Sequence, residues 1–156
     1  MAELEEFRAQ AEVGEQNKEI VKRLYEEFNK GNAEIFRELC APEYAYYSAS
    51  ISPEPMSLDE TIEAFQMEFK GFPADYNVKT HELIAKGDKV IARLTCTGTH
   101  EGEYYGIPAS GNKIEIGVID IFHIKEGKIV ETREEIDSLG LMRQLGMELK
   151  PKKVKK

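Results

Sequence analysis

The chain contains no tryptophan and only two cysteines and six prolines in 156 residues. Cys40 and Cys96 stand far apart, each among apolar neighbours. That excludes a disulfide framework and a C-x-x-C metal knuckle, and reads as two buried free thiols of a reducing compartment. No apolar run approaches the roughly 20 residues that a membrane helix needs. The N-terminal stretch carries Glu3, Glu5 and Glu6 and lacks the apolar centre of a signal peptide. A soluble, cytoplasmic protein with no membrane partner is therefore expected. Positive charge is also scarce: 21 Lys and Arg face 29 Asp and Glu, for a net charge of −8. Five of those lysines crowd into the closing KPKKVKK, so the body is more acidic still. Such a body repels phosphate backbones, which argues against a nucleic-acid partner, and the tail reads as a solvated end.

What is present suits one globular domain. The content is 41% hydrophobic and 32% charged, and a chain of this length builds a core without disulfides or metal. Residues 1–15 show little sustained apolar pattern and read as a flexible leader, with the domain at 16–148 and a basic disordered tail at 149–156. Ile20, Val21, Leu24, Tyr25 and Phe28 recur at helical spacing and stop at Gly31. A short second helix spans 33–40. Ser57-Leu-Asp-Glu60 forms a capping box ahead of a third helix, which buries Ile62, Phe65 and Phe69 and closes at Gly71. After Pro73 the period becomes two. Strands are expected at about 76–85, 89–99, 113–124 and 128–136, with hairpin turns at 86–88 and 125–127. A tyrosine-rich extended segment covers 43–48, and a last helix begins near Asp137. Helices followed by antiparallel strands mean an α+β fold.

The informative residues are polar groups on apolar faces. One face of the 113–124 strand reads Ile116, Val118, Asp120, Phe122 and Ile124, so Asp120 is a lone carboxylate among large apolar side chains. In the next strand the even positions are Val130, Thr132, Glu134 and Ile136, with Glu134 the only acid, while the odd positions from Ile129 to Asp137 form a mostly wet face. Through the short turn at 125–127, both acids can face one space. Two carboxyls in different environments are what general acid–base chemistry requires. The plain alternative is that each is satisfied by backbone or a nearby Arg. His100 ends the 89–99 strand at the rim of the same face, or is a structural histidine. Tyr44 and Tyr46 could wall a ligand site, and Val118 and Phe122 would line it. No metal site, phosphate loop or nucleophile elbow is visible.

The run from Gly98 to Lys113, GTHEGEYYGIPASGNK, resembles the G-T-H-x-G…G-I-P-x-[ST]-G-K stretch of SnoaL-like polyketide cyclases. Ile119–Phe122, Gly127–Glu131 and Leu141–Gly146 resemble the same family, as do 17–32 and 84–93 upstream. The family belongs to the nuclear-transport-factor-2-like superfamily, with ketosteroid isomerase and limonene epoxide hydrolase. The resemblance implies a curved, mainly antiparallel sheet forming a cone, N-terminal helices closing one deep apolar pocket, and a homodimer packed through the sheet. It puts the cyclases' acid/base aspartate on Glu134, a pocket histidine on Asp120 and the G-x-H histidine on His100. Ketosteroid isomerase has its oxyanion-binding aspartic acid where Asp120 stands. The departures are Glu for Asp at 134, Tyr46 in place of a pocket asparagine, and no tryptophan near the acid. Three readings follow: a cofactor-independent acid–base enzyme of cyclase or isomerase type on a small, largely apolar or aromatic carbonyl compound; an epoxide-hydrolase-like enzyme; or a non-catalytic ligand-binding or dimerisation module.

Overall fold

A computed structural model describes residues 1–155; the last residue of the basic tail, Lys156, lies outside them. The elements in order are α1 (Ala2–Phe28), α2 (Ile35–Leu39), β1 (Cys40–Tyr47), α3 (Leu58–Gly71), β2 (Asn77–Lys86), β3 (Lys89–Thr99), β4 (Lys113–Lys125), β5 (Lys128–Ile136) and α4 (Ser138–Gln144). The strands form one mixed, open sheet in the order β1-β5-β4-β3-β2. β2 to β5 are an antiparallel meander, and β1 joins β5 in parallel. This is the α+β architecture that the periodicity implies, with helices packed on one face and β1 and β2 as the edge strands.

Local chemistry explains most boundaries. At the start of α3 both halves of the capping box are present: Ser57 Oγ accepts from the Glu60 N–H, and the Glu60 carboxylate accepts from the Ser57 N–H at 2.8 Å. β4 alternates buried and exposed residues without interruption, because Ile114, Ile116, Val118, Asp120, Phe122 and Ile124 all point toward the helices.

Two elements depart from the sequence reading. The helix expected to begin near residue 16 begins at Ala2. Ala, Glu, Gln and Arg are strong helix formers, so local propensity carries the exposed first turns. Packing starts at Gly14, where an added Cβ would stand 3.2 Å from the Ala85 Cβ of β2. The glycine that weakens the sequence pattern thus permits a close helix–sheet crossing. The second departure is a bulge between His123 and Ile124 in the β4–β5 ladder. It leaves Val130 without a register partner and turns Ile129, expected on the wet face, fully inward at 0% exposure. Beyond the bulge the expected parity holds through Thr132 and Glu134.

Residues 147–155 form neither helix nor strand and are exposed. Cys40 and Cys96 are free and buried. Among the described residues no helix is long and apolar enough to cross a membrane.

Candidate functional site

The β4–β5 hairpin sets Asp120 directly opposite Glu134 in the ladder, so their side chains leave the sheet on the same face. Between that face and helices α1 and α3 lies a cavity of about 40 Å³. Its floor is formed by Leu94 and Cys96 of β3, Val118, Asp120 and Phe122 of β4, and Thr132 and Glu134 of β5. Tyr25 and Phe28 of α1 and Phe65 and Glu68 of α3 form the roof. Among the described residues no Lys, Arg or His lines it, so none of them offers the carboxyls a cation to stabilise their charged form.

Asp120 is 6% exposed. The Tyr25 hydroxyl donates a hydrogen bond to its Oδ2, whereas Oδ1 is buried with no partner. Burial pushes the Asp120 carboxyl well above the ordinary carboxylate range, and the charge of Glu134 pushes it further, against the opposing effect of Tyr25. Glu134 is only partly buried. Its Oε1 accepts from Ser48 Oγ at 2.9 Å, and the buried Tyr46 hydroxyl lies beside it without a well-aligned hydrogen bond. Burial raises the Glu134 carboxyl too, but the Tyr46 and Ser48 hydroxyls hold it down. Burial thus raises both carboxyls, the enclosed Asp120 well above its ordinary value, and a charge on Glu134 adds to the rise at Asp120.

Five of the seven expected site residues meet in this cavity: Glu134, Asp120, Tyr46, Phe122 and Val118. Tyr44 stands one layer behind, its hydroxyl donating to Thr132 Oγ1 at 2.8 Å. His100, read as either a rim residue or a structural histidine, does not line the cavity. It is 0% exposed, pairs through Nδ1 with Ser110 Oγ at 2.9 Å, and packs between Phe72 and Tyr104. Its main chain pairs with Gly111 and Asn112, so the histidine pins the 100–112 loop. Neither arginine near the site touches Glu134: Arg93 pairs with Glu82, and Arg133 pairs with Glu131 and stacks 4.0 Å from the Tyr47 ring centroid. The sequence reading missed Tyr25, Ser48 and Glu68. Glu68 had a signal, because it falls in the inward stripe of α3 with Ile62 and Phe65. Tyr25 was legible only as core.

Comparison with known proteins agrees with this architecture. The sequence profile of the SnoaL-like polyketide cyclase family matches residues 19–145. Aklanonic acid methyl ester cyclase DnrD of Streptomyces peucetius is 30% identical over 129 residues, 82% of this chain and 89% of that protein. Its counterpart DauD from Streptomyces sp. (strain C5) is 29% identical over 129 residues, 82% of this chain and 80% of that protein. Among solved structures, IdmH of Streptomyces antibioticus superposes with a TM-score of 0.73 at 27% identity, covering 85% of this chain and 99% of that one. A SnoaL-like protein of Jannaschia sp. CCS1 superposes with a TM-score of 0.77 at 24% identity, covering 88% of this chain and 96% of that one, and shares the fold. With the profile spanning the helices, the sheet and both cavity acids, this chain belongs to the SnoaL-like polyketide cyclase family.

Proposed function

We propose that the chain is an acid–base catalyst, working without metal or organic cofactor, on a small, largely apolar carbonyl compound. The observation that supports this most is the cross-strand placement of Asp120 and Glu134 in one cavity with no cation. Glu134, the less enclosed acid and the one whose charge the Tyr46 and Ser48 hydroxyls favour, takes the proton from the carbon next to the carbonyl. The C–H electron pair forms the carbon–carbon double bond of an enolate while the carbonyl π pair moves onto the oxygen. Asp120 keeps its proton and donates from Oδ1, the oxygen left free by Tyr25, to that oxygen. In an aldol cyclisation the enolate carbon then attacks a second carbonyl of the same molecule, and the proton held by Glu134 quenches the new alkoxide. Returning the proton to a different carbon would instead give an isomerisation.

A hydrolytic reading, with Glu134 activating water against an epoxide, finds no positioning guanidinium, because Arg93 and Arg133 are engaged on the outer face. A non-catalytic reading does have an observation in its favour. Ligand pockets are typically about 300–1,000 Å³, and this cavity of about 40 Å³ holds little more than water. Catalysis therefore requires side chains in the roof, the half-buried Phe65 first among them, to swing aside.

The deciding experiment is deuterium incorporation at the carbon next to a carbonyl, followed by proton NMR in heavy water. Aklanonic acid methyl ester is the first compound to try, given the relatives' activity, with smaller aryl ketones beside it. Exchange that is catalysed by the wild type and lost in Glu134→Gln supports the enzyme. Ligand binding with no exchange by any variant supports the binding module.

A further inference from the structure

The cavity holds a third carboxyl that the mechanism above does not use. Glu68 of α3 is 7% exposed and lines the roof. Tyr76 donates to its Oε2 at 2.7 Å, and Oε1 has no protein partner among the described residues. As at Asp120, a tyrosine hydroxyl holds one carboxyl oxygen of a side chain that lines the cavity. The two pairs belong to different walls, Tyr76–Glu68 to the α3 side and Tyr25–Asp120 to the sheet.

We propose that Glu68 is a specificity-determining residue, binding a second oxygen of the ligand, a carbonyl remote from the one that Asp120 receives, by donating its carboxyl proton. The inference rests on the reading of this cavity as the ligand site and deepens it: the ligand has an apolar body carrying two separated oxygen functions. A buried acid facing an unpaired space is costly unless something accepts from it, and a second carbonyl supplies that acceptor. The titratable groups near Glu68 are Tyr76, Cys96 of β3, Tyr104 and Tyr105 of the 100–112 loop, and the carboxyls of Asp120 and Glu134. None is cationic. Burial, with the charge of Glu134, raises the Glu68 carboxyl to about 8, so the donating form is present at neutral pH and is lost as pH rises through that value.

The test compares two probes of about the same shape, para-diacetylbenzene with two carbonyls and para-isopropylacetophenone with one. Dissociation constants for the full-length chain are read by NMR titration at pH 6 and pH 9.5. Wild type is expected to prefer the diketone by about five- to tenfold at pH 6 and to lose that preference at pH 9.5. Glu68→Gln, whose amide also donates, keeps the preference at both pH values, and Glu68→Leu loses it at both. A preference that survives in Glu68→Leu, or that stays constant with pH in wild type, overturns the role of Glu68 and leaves the cavity reading standing. If wild type binds neither probe there, the cavity reading fails and this inference fails with it.

Discussion

Asp120 and Glu134 are chemically similar side chains that the fold makes different. Both are raised by burial, but Glu134 reaches toward the surface and accepts from Ser48, whereas Asp120 is enclosed and bonded to Tyr25 alone. The account gives Asp120 the donor's part, which makes a graded prediction. Asp120→Asn keeps a hydrogen-bond donor and should retain more deuterium exchange than Asp120→Leu, which removes it. Loss of one such donor costs about a hundred- to a thousandfold in rate. Equal activity of the two variants would mean that no proton is donated from position 120. Both acids were legible in the sequence because they interrupt an alternating apolar pattern, and alternation is a local property. Tyr25 was not, because an inward tyrosine on a helix looks the same whether it packs or bonds across to a strand 95 residues later.

At the scale of elements, the 98–113 run is where sequence and structure inform each other most. Its motif carries the family resemblance, and His100 reads as a rim residue or a structural one; the structure uses the loop and the histidine to close the core. Gly102 lies against the end of α3: an added Cβ would stand 1.9 Å from the Lys70 carbonyl oxygen, far inside contact distance. Backbone cannot give way as a side-chain tip can, so Gly102→Ala should destabilise the fold by about 1–3 kcal/mol or more. Urea denaturation measures this, and an unchanged midpoint would show that the loop does not dock on α3. The capping box, the hairpin turns and the strand periods were all readable, because each is written within a few neighbouring residues. The parallel pairing of β1 with β5 and the bulge at Val130 were not, because both depend on distant partners. Gly14 in α1 is the opposite case: read locally it weakens a helix, and only the facing Ala85 explains it.

For the whole molecule, buried carboxyls couple stability to pH. Glu68 has a folded value of about 8 against an ordinary 4.5. Between those values the folded protein holds a proton that the unfolded chain has released, so stability falls as pH rises through the window and levels off above it. Glu68→Gln removes that coupling. Its stability relative to wild type should improve steadily from about pH 4.5 to about 8, by on the order of a few kcal/mol in total. Denaturation at a series of pH values tests this, and a difference that does not vary with pH would contradict it. The outer face of the sheet carries a second expectation. Ile84, Ile91 and Ile121 are cross-strand neighbours at 48%, 39% and 37% exposure, with Ile119 beside them at 45%. A homodimer packed through this face would cover them. Light scattering should then give twice the chain mass for wild type and the monomer mass for the Ile119→Lys, Ile121→Lys double variant; a monomeric wild type would remove the dimer.

The central claim is that two facing carboxyls share a small cavity without a cation and hold their protons differently. Carbon-detected NMR titration of the purified full-length protein tests it without knowledge of the substrate. The account predicts that Asp120 titrates well above about 4 and that Glu134→Gln, by removing the neighbouring charge, lowers its midpoint. An Asp120 midpoint near or below about 4, unmoved by Glu134→Gln, would make both acids ordinary structural groups and favour the binding module over the enzyme.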